Sequence, residues 1–345
     1  MSFQITLQPS GHEYQAEEGS TILQSALDAG IKLPYGCQNG ACGACKGKVV
    51  SGQFDHGAAP EGTLPADQRA EGMALFCCAR PLSDLRIEAK EVVAGKDIPV
   101  KTMPCRVQKL ERLAPDVIAL QLKLPTNERL QFLAGQYIEI LMKDGKRRAF
   151  SLANAPQEDE LLQLHIRLIS GGHFTEQVFG AMKEREMLRF EGPHGSFFLR
   201  EDEASAKKPV ILLAGGTGFA PVKSITEYAI HSKLDRPIHI YWGARDRSGL
   251  YLDELPRRWA AEHTNIHYVP VLSDPAAEDH WAGRTGLVHQ AVLADHPDLG
   301  NFQVYACGAP AMVEVAHRDF VAQGLPEDQF FSDAFTFAKD SQPKP

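Results

Sequence analysis

Residues 34–47 read PYGCQNGACGACKG, which places Cys37, Cys42 and Cys45 in the spacing C-x4-C-x2-C, with Cys77 following as C-x31-C. Cysteine thiolates are soft, electron-rich ligands, and four of them suit either zinc or an iron–sulfur centre. Structural zinc sites more often use short-spaced pairs at both ends, which Cys77 cannot supply alone. The spacing here is that of a [2Fe–2S] ligand set, with zinc as the alternative. Three close ligands must curl around a small cluster. Gly36, Gly40 and Gly43, with Ala41 and Ala44, leave the backbone room to bend and bring its N–H groups towards the sulfides. On this reading the protein moves electrons.

The flanks fit around that loop. QITLQPSG and HEYQAEEG (residues 4–19) read as two short strands about a turn at Pro9–Gly11. TILQSALDAG (21–30) reads as a helix, with Thr21 and Gln24 spaced as a capping box, an apolar stripe of Ile22, Leu23, Ala26 and Leu27, and a stop at Gly30. GKVVSG and DLRIEAKEV supply further strands, and the Ala-, Pro- and charge-rich stretch 53–72 reads as a surface connection. Together these parts resemble the β-grasp domain of plant-type ferredoxins, up to about residue 93. In those proteins the last ligand lies seven residues before the aspartate of a P-x-S-D segment. Pro81, Ser83 and Asp84 put that register on Cys77, which leaves Cys78 as a small buried neighbour.

At 345 residues the chain is too long for one such domain and suggests two or three. Its 43% hydrophobic content is ordinary for a globular protein. No apolar run follows a basic start and no stretch of about 18 apolar residues occurs, so neither a secretory signal nor a membrane span is expected. Seven cysteines, four of them placed at a metal, argue against a disulfide framework and fit the reducing cytoplasm. A net charge of −8 with no basic block makes nucleic acid an unsuitable partner.

After a linker around 94–102, the stretch 103–202 carries apolar or alternating runs: CRVQKLERL, VIALQLKL, QYIEILM, LLQLHIRLI and MLRFEGP. Separated by turns, these read as an antiparallel barrel. Two patterns within it resemble the flavin-binding ferredoxin–NADP⁺ reductase superfamily. Arg148-Ala149-Phe150-Ser151 matches its R-x-[YF]-S segment. The resemblance implies that Arg148 neutralises an FAD phosphate, Phe150 covers the isoalloxazine and Ser151 lies near the reactive nitrogen of the flavin. The second pattern is His165-Ile166-Arg167 followed by Gly171-Gly172-His173-Phe174-Thr175. It implies a strand along the flavin edge, then a helix whose N-terminus holds the pyrophosphate, with a further hydroxyl from Thr175. His165 and His173 read as structural or cofactor-adjacent residues, neither of them a metal ligand.

Beyond residue 203 apolar runs alternate with helical stretches: PVILLAGG, FAPVKSITEYAIHSK, PIHIYWGAR, HYVPVLS and FQVYACGAP. This is the βαβ pattern of a parallel sheet. Gly215-Gly216-Thr217-Gly218 with Pro221 resembles the nicotinamide-nucleotide loop of the same superfamily. Tyr241-Trp242-Gly243-Ala244-Arg245 resembles its second strand end, and Cys307-Gly308-x-Pro310 its segment near the nicotinamide. Cys307 is expected to shape the hydride path and not to act as a covalent nucleophile. Arg245 and Arg247 stand where an adenosine phosphate would lie, yet no residue decides between NADH and NADPH. The four phenylalanines of QFFSDAFTFAKD close the chain. Phe335 is the candidate to approach the flavin beside the nicotinamide pocket, with plain packing of the tail as the alternative.

The whole chain therefore resembles the iron–sulfur flavoprotein reductases, in the order ferredoxin domain (1–93), FAD barrel (103–202) and NAD(P)H domain (203–345). Nicotinamide delivers two electrons as hydride and the cluster carries one at a time, so a flavin is needed between them. The implied route runs from NAD(P)H to FAD to [2Fe–2S] and on to a soluble acceptor protein that docks transiently near the cluster loop. The N-terminal ferredoxin, CCARPLSDLRIE and YWGAR resemble the CDP-6-deoxy-Δ3,4-glucoseen reductases, which serve a dehydratase of CDP-deoxysugars. Reductase components of aromatic-ring mono- and dioxygenases share the layout.

Overall fold

A computed structural model of the chain describes residues 2–89, 92 and 98–335, and divides into two compact units. Part of the expected linker, 94–97, and the tail beyond Phe335 lie outside the described residues.

The first unit comprises the chain up to Pro99 with Gly195–Phe197 and Ser332–Ala334. Its sheet orders the strands Glu13–Glu17, Ser2–Gln8, Leu85–Glu88, Lys46–Ser51 and Met73–Leu75. Ser2–Gln8 pairs antiparallel with Glu13–Glu17 and parallel with Leu85–Glu88. Ile5, Leu7, Tyr14, Ala16, Leu85 and Ile87 all point inward, as period-2 alternation requires. Helix Ile22–Asp28 lays Ile22, Leu23 and Ala26 on this face, and Thr21 Oγ1 accepts from Gln24 N at 3.2 Å. The expected capping box is only half made. The Gln24 carboxamide donates to Asp28 Oδ1 one turn ahead (2.8 Å). The stretch 53–72 is more ordered than a surface connection: Phe54–Asp55 pairs with Arg80–Pro81, and Ala66–Ala70 is a short helix. Arg69 fastens it by donating to the carbonyls of Leu64 (3.0 Å) and Ala59 (2.7 Å), while the Leu64 side chain is buried in the core.

In the second unit the barrel runs give six antiparallel strands in the order Arg147–Ser151, Tyr137–Leu141, Met187–His194, Lys101–Ala114, Val117–Lys123 and Leu161–Arg167. An isolated bridge between Leu152 and Leu164 links the two edge strands, so the sheet closes on itself. Leu120, Leu122, Ile138, Ile140, Leu162, Leu164 and Phe190 fill its core.

The nucleotide part of this unit is a sheet ordered Arg284–Thr285, Ile266–Leu272, Ile238–Ala244, Val210–Gly215 and Gln303–Gly308, with residues 330–331 at its far edge. Val210 to Ala214 are fully buried, as befits an interior parallel strand covered on both faces. From Val210–Gly215 the chain builds outwards to Arg284–Thr285, then crosses back to place Gln303–Gly308 on the other side. That reversal is a topological switch point, and the carboxyl ends of the two strands are where open sheets of this kind take their ligands. Among the described residues no helix is long and apolar enough to cross a membrane.

Candidate functional site

In the cluster loop the backbone turns its N–H groups onto sulfur. Cys37 N lies 3.4 Å from Cys42 Sγ, Cys42 N 3.3 Å from Cys37 Sγ, and Ala44 N 3.5 Å from Cys42 Sγ. Gly40 and Gly43 take positive φ (87° and 73°), and a Cβ on Gly40 would stand 2.9 Å from Cys78 Sγ. The hydrogen bond with Cys42 draws the Cys37 thiol down to about 6, while the same contact pushes Cys42 up. Cys77 is pushed up first by its hydrogen bond with Cys45. Cys78 lies beside it, Sγ to Sγ 3.7 Å, and packs against Gly40. No three cysteine sulfurs among the described residues lie within 4.8 Å of one another. A single tetrahedral zinc would hold its sulfurs about 3.8 Å apart. This wider spread suits a two-iron cluster. Within the same unit, Ser332 Oγ donates to the Cys42 carbonyl (3.0 Å), and Ser196 Oγ lies 2.8 Å from both Tyr35 N and Tyr35 O. Neither serine was foreseen, because each lies far from the loop in sequence.

The flavin candidates lie along the closure of the barrel. Strand Arg147–Ser151 sets Phe150 opposite Ile138 and Arg148 opposite Ile140. Phe150 rests on Phe174 with ring centroids 5.3 Å apart, and Ser151 and His165 are buried. Ala149 and His173 face outward, whereas Ile166 and Phe174 belong to the barrel core. Gly172 caps helix His173–Phe179, and a Cβ there would stand 2.6 Å from Thr175 Oγ1. The Thr175 hydroxyl is committed locally. It accepts from Ile169 N (3.1 Å) and lies within donating distance of the Gly172 and Ile169 carbonyls, while Gly171 N donates to Glu176 Oε1 (2.7 Å). Thr175 thus braces the loop from within.

The nucleotide loop occupies the switch point. Gly216 has φ +54° and Gly308 φ +149°, and a Cβ on Gly218 would come within 2.2 Å of the Cys307 carbonyl oxygen. At Gly218 and Gly308 backbone meets backbone, so these two positions hold glycine for want of room. Trp242 Nε1 donates to the Gly216 carbonyl (2.9 Å), and the Arg167 guanidinium reaches to 3.1 Å from where a Gly216 Cβ would be. Thr217 lies within this loop, and Pro221 in the first turn of helix Phe219–His231, where its missing N–H is harmless. Gly243 closes on Val288, and Cys307 is fully buried, with Pro310 opening the helix after it. Arg245 extends into solvent 3.6 Å from Asp274, which answers part of its charge, and the Arg247 guanidinium donates to the Asp279 backbone carbonyl (3.2 Å). Phe335 N donates to the Gly308 carbonyl (2.8 Å), which sets the Phe335 backbone on this loop.

Family models match in the same order: a 2Fe-2S iron-sulfur cluster binding domain over residues 5–82, an oxidoreductase FAD-binding domain over 104–199 and an oxidoreductase NAD-binding domain over 212–318. The chain is 43% identical over 339 residues to the CDP-6-deoxy-L-threo-D-glycero-4-hexulose-3-dehydrase reductase of Yersinia pestis, covering 98% of this chain and 100% of that one. This chain is an iron–sulfur flavoprotein reductase of the ferredoxin–NADP⁺ reductase superfamily. It is also 38% identical to the reductase component of phenol 2-monooxygenase from a Pseudomonas species, across 99% of this chain and 96% of that one. The crystal structure of an Amycolatopsis cytochrome P450 reductase superposes with a TM-score of 0.77 at 34% identity, covering 96% and 98% of the two chains. The reductase therefore carries sites for FAD, NAD(P)H and a [2Fe–2S] cluster.

Sequence reasoning missed the residues that lock the flavin and nucleotide parts of the reductase together. Two residues after Pro221, Lys223 Nζ donates to the Ala153 carbonyl (3.0 Å) and pairs with Glu227 (2.7 Å), and Ser224 Oγ donates to the Asn154 carbonyl (2.7 Å). Both side chains are buried, and their acceptors follow Ser151 by two and three residues. Burial outweighs the lysine and holds the Glu227 carboxyl above its usual range. The available signal was a lysine–serine pair on an otherwise apolar helix face.

Proposed function

We propose that the reductase delivers electrons from NAD(P)H to a soluble dehydratase of CDP-deoxysugars. The observation that carries this reading is the end-to-end match, at 43% identity, to the dehydrase reductase of Yersinia. The match to a phenol monooxygenase reductase, also nearly end to end, supports a second reading in which an oxygenase collects the electrons.

In this assignment Gly215–Gly218, Pro221, Gly243, Arg245 and Cys307–Pro310 hold the nicotinamide nucleotide. Arg148–Ser151, His165–Arg167 and Gly171–Thr175 hold FAD, and Cys37, Cys42, Cys45 and Cys77 hold the cluster. Bound FAD supplies the exchange between paired and single electrons. The tight glycine loops admit a dinucleotide backbone close to the sheet, and Arg148 answers phosphate charge. Lys223 and Ser224 fix the Ser151 strand against the nucleotide helix, which supplies the alignment that hydride transfer needs. Buried Cys307 narrows that path, and Phe335, anchored on Gly308, lies beside it. The three parts correspond to residues 1–93, 103–202 and 203–345.

The test is NADH and NADPH oxidation by the holoenzyme with a purified CDP-6-deoxy-4-hexulose-3-dehydratase or a phenol hydroxylase oxygenase as acceptor. Turnover dependent on the dehydratase and not on the oxygenase is expected. The reverse pattern moves the assignment to the second reading.

A further inference from the structure

We propose that His165 presents a neutral Nε2–H donor to the isoalloxazine ring of FAD, in a tautomer fixed by Tyr251. The proposal rests on the FAD assignment above and adds the donor atom, the residue that sets it and the sign of its effect. The Leu152–Leu164 bridge and the Ala153 N–H bond to the Gln163 carbonyl (2.7 Å) set an antiparallel register. His165 then stands opposite Ser151, the residue assigned to the reactive edge of the flavin. Their side chains belong to residues only 5% and 6% exposed.

His165 Nδ1 lies 2.9 Å from the Tyr251 hydroxyl, and among the described residues that hydroxyl has no other hydrogen-bond partner. A buried phenol donates its proton where it can, so Nδ1 accepts and the imidazole proton resides on Nε2. Nε2 is itself buried and has no hydrogen-bond partner among the described residues. A buried N–H left without an acceptor is destabilising, and a ligand acceptor at this position removes that penalty. Burial first, and then the charge of Lys223, push the His165 pKa down to about 3, so the ring donates as a neutral group. Tyr251 is held in place edge-on to Trp242 and Phe219, with ring centroids at 5.1 and 6.4 Å. Trp242 in turn donates to the Gly216 carbonyl, so the ring that positions Tyr251 is itself tied to the nucleotide loop. A reduced isoalloxazine is the more electron-rich acceptor, so this donor favours reduction.

The test is a redox titration of holoenzyme variants with reference dyes, following flavin and cluster bands together. His165→Leu is expected to lower the equilibrium constant for two-electron flavin reduction about ten-fold, equivalent to about 30 mV. His165→Gln, which keeps an N–H, should recover most of the shift. Tyr251→Phe, which frees Nδ1 to take the proton, should shift the flavin the same way by less. The cluster potential should stay at the wild-type value throughout. A wild-type flavin potential in His165→Leu overturns the proposal, as does an equal movement of the cluster potential. If the leucine variant does not retain flavin, a wild-type potential in Tyr251→Phe overturns it instead. Wild-type protein that binds no FAD contradicts the underlying cofactor assignment.

Discussion

Replacing Lys223 by methionine should loosen the join between the flavin and nucleotide parts in a way that depends on pH. The substitution keeps the apolar stem and removes two contacts, the donation to Ala153 O (3.0 Å) and the ion pair with Glu227 (2.7 Å). The lost hydrogen bond costs about 1 kcal/mol at any pH. Stranding a buried carboxylate costs up to about 3–5 kcal/mol, but Glu227 can escape by taking a proton. From the ordinary glutamate value of 4.5, protonation near pH 7 costs about 3.4 kcal/mol, and near pH 5.5 about 1.4 kcal/mol, which caps the penalty at each pH. The sign follows from the raised folded pKa of Glu227: the folded state binds more protons than the unfolded one between the two pKa values. Stability is therefore lost as pH rises through that window, and more steeply in the variant. The expected deficit is about 4 kcal/mol near pH 7, narrowing to about 2 kcal/mol near pH 5.5. Urea unfolding followed by FAD release from wild type and variant at the two pH values measures it. A deficit that is the same at both, or below about 1 kcal/mol at the higher pH, refutes the reasoning.

Cys77→Ser should cost the [2Fe–2S] absorbance and two irons per chain, while NAD(P)H still bleaches the flavin; if Cys78→Ser does this instead, the ligand register is wrong. Gly218→Ala would push a methyl group to within 2.2 Å of the Cys307 carbonyl. Flavin-loaded variant should then show hydride transfer slowed by at least roughly ten-fold in stopped flow, and an unchanged rate would remove the argument for backbone-on-backbone packing. Thr21→Ala removes the cap on Gln24 N and should lower the stability of the first unit by about 1 kcal/mol, read from denaturation followed by cluster bleaching.

What the sequence made legible were features with short-range causes. Alternation of Ile5 and Leu7, the continuous apolar run Val210–Ala214 and the glycines at 215–218 each encode their own backbone, and the strands and loops stand where those patterns put them. The half-made capping box was beyond reach because Gln24 chooses between Thr21 and Asp28 by geometry at the one-ångström scale. The bonds of the Thr175 hydroxyl to the carbonyls of Ile169 and Gly172 were likewise not readable from the motif. Long-range partners were equally hidden. Nothing near Ala153 or His165 in sequence announces Lys223 or Tyr251, because those contacts exist only once the barrel and the nucleotide sheet are packed in one unit.

The central claim is a single route from nicotinamide through flavin to the cluster. Anaerobic stopped-flow reduction of the holoenzyme, with NADH and NADPH in parallel, tests it most directly. The account predicts flavin bleaching followed by a distinct phase of cluster reduction with at least one of the two coenzymes. Flavin reduction with no later cluster phase, in protein carrying its full complement of iron, would contradict it.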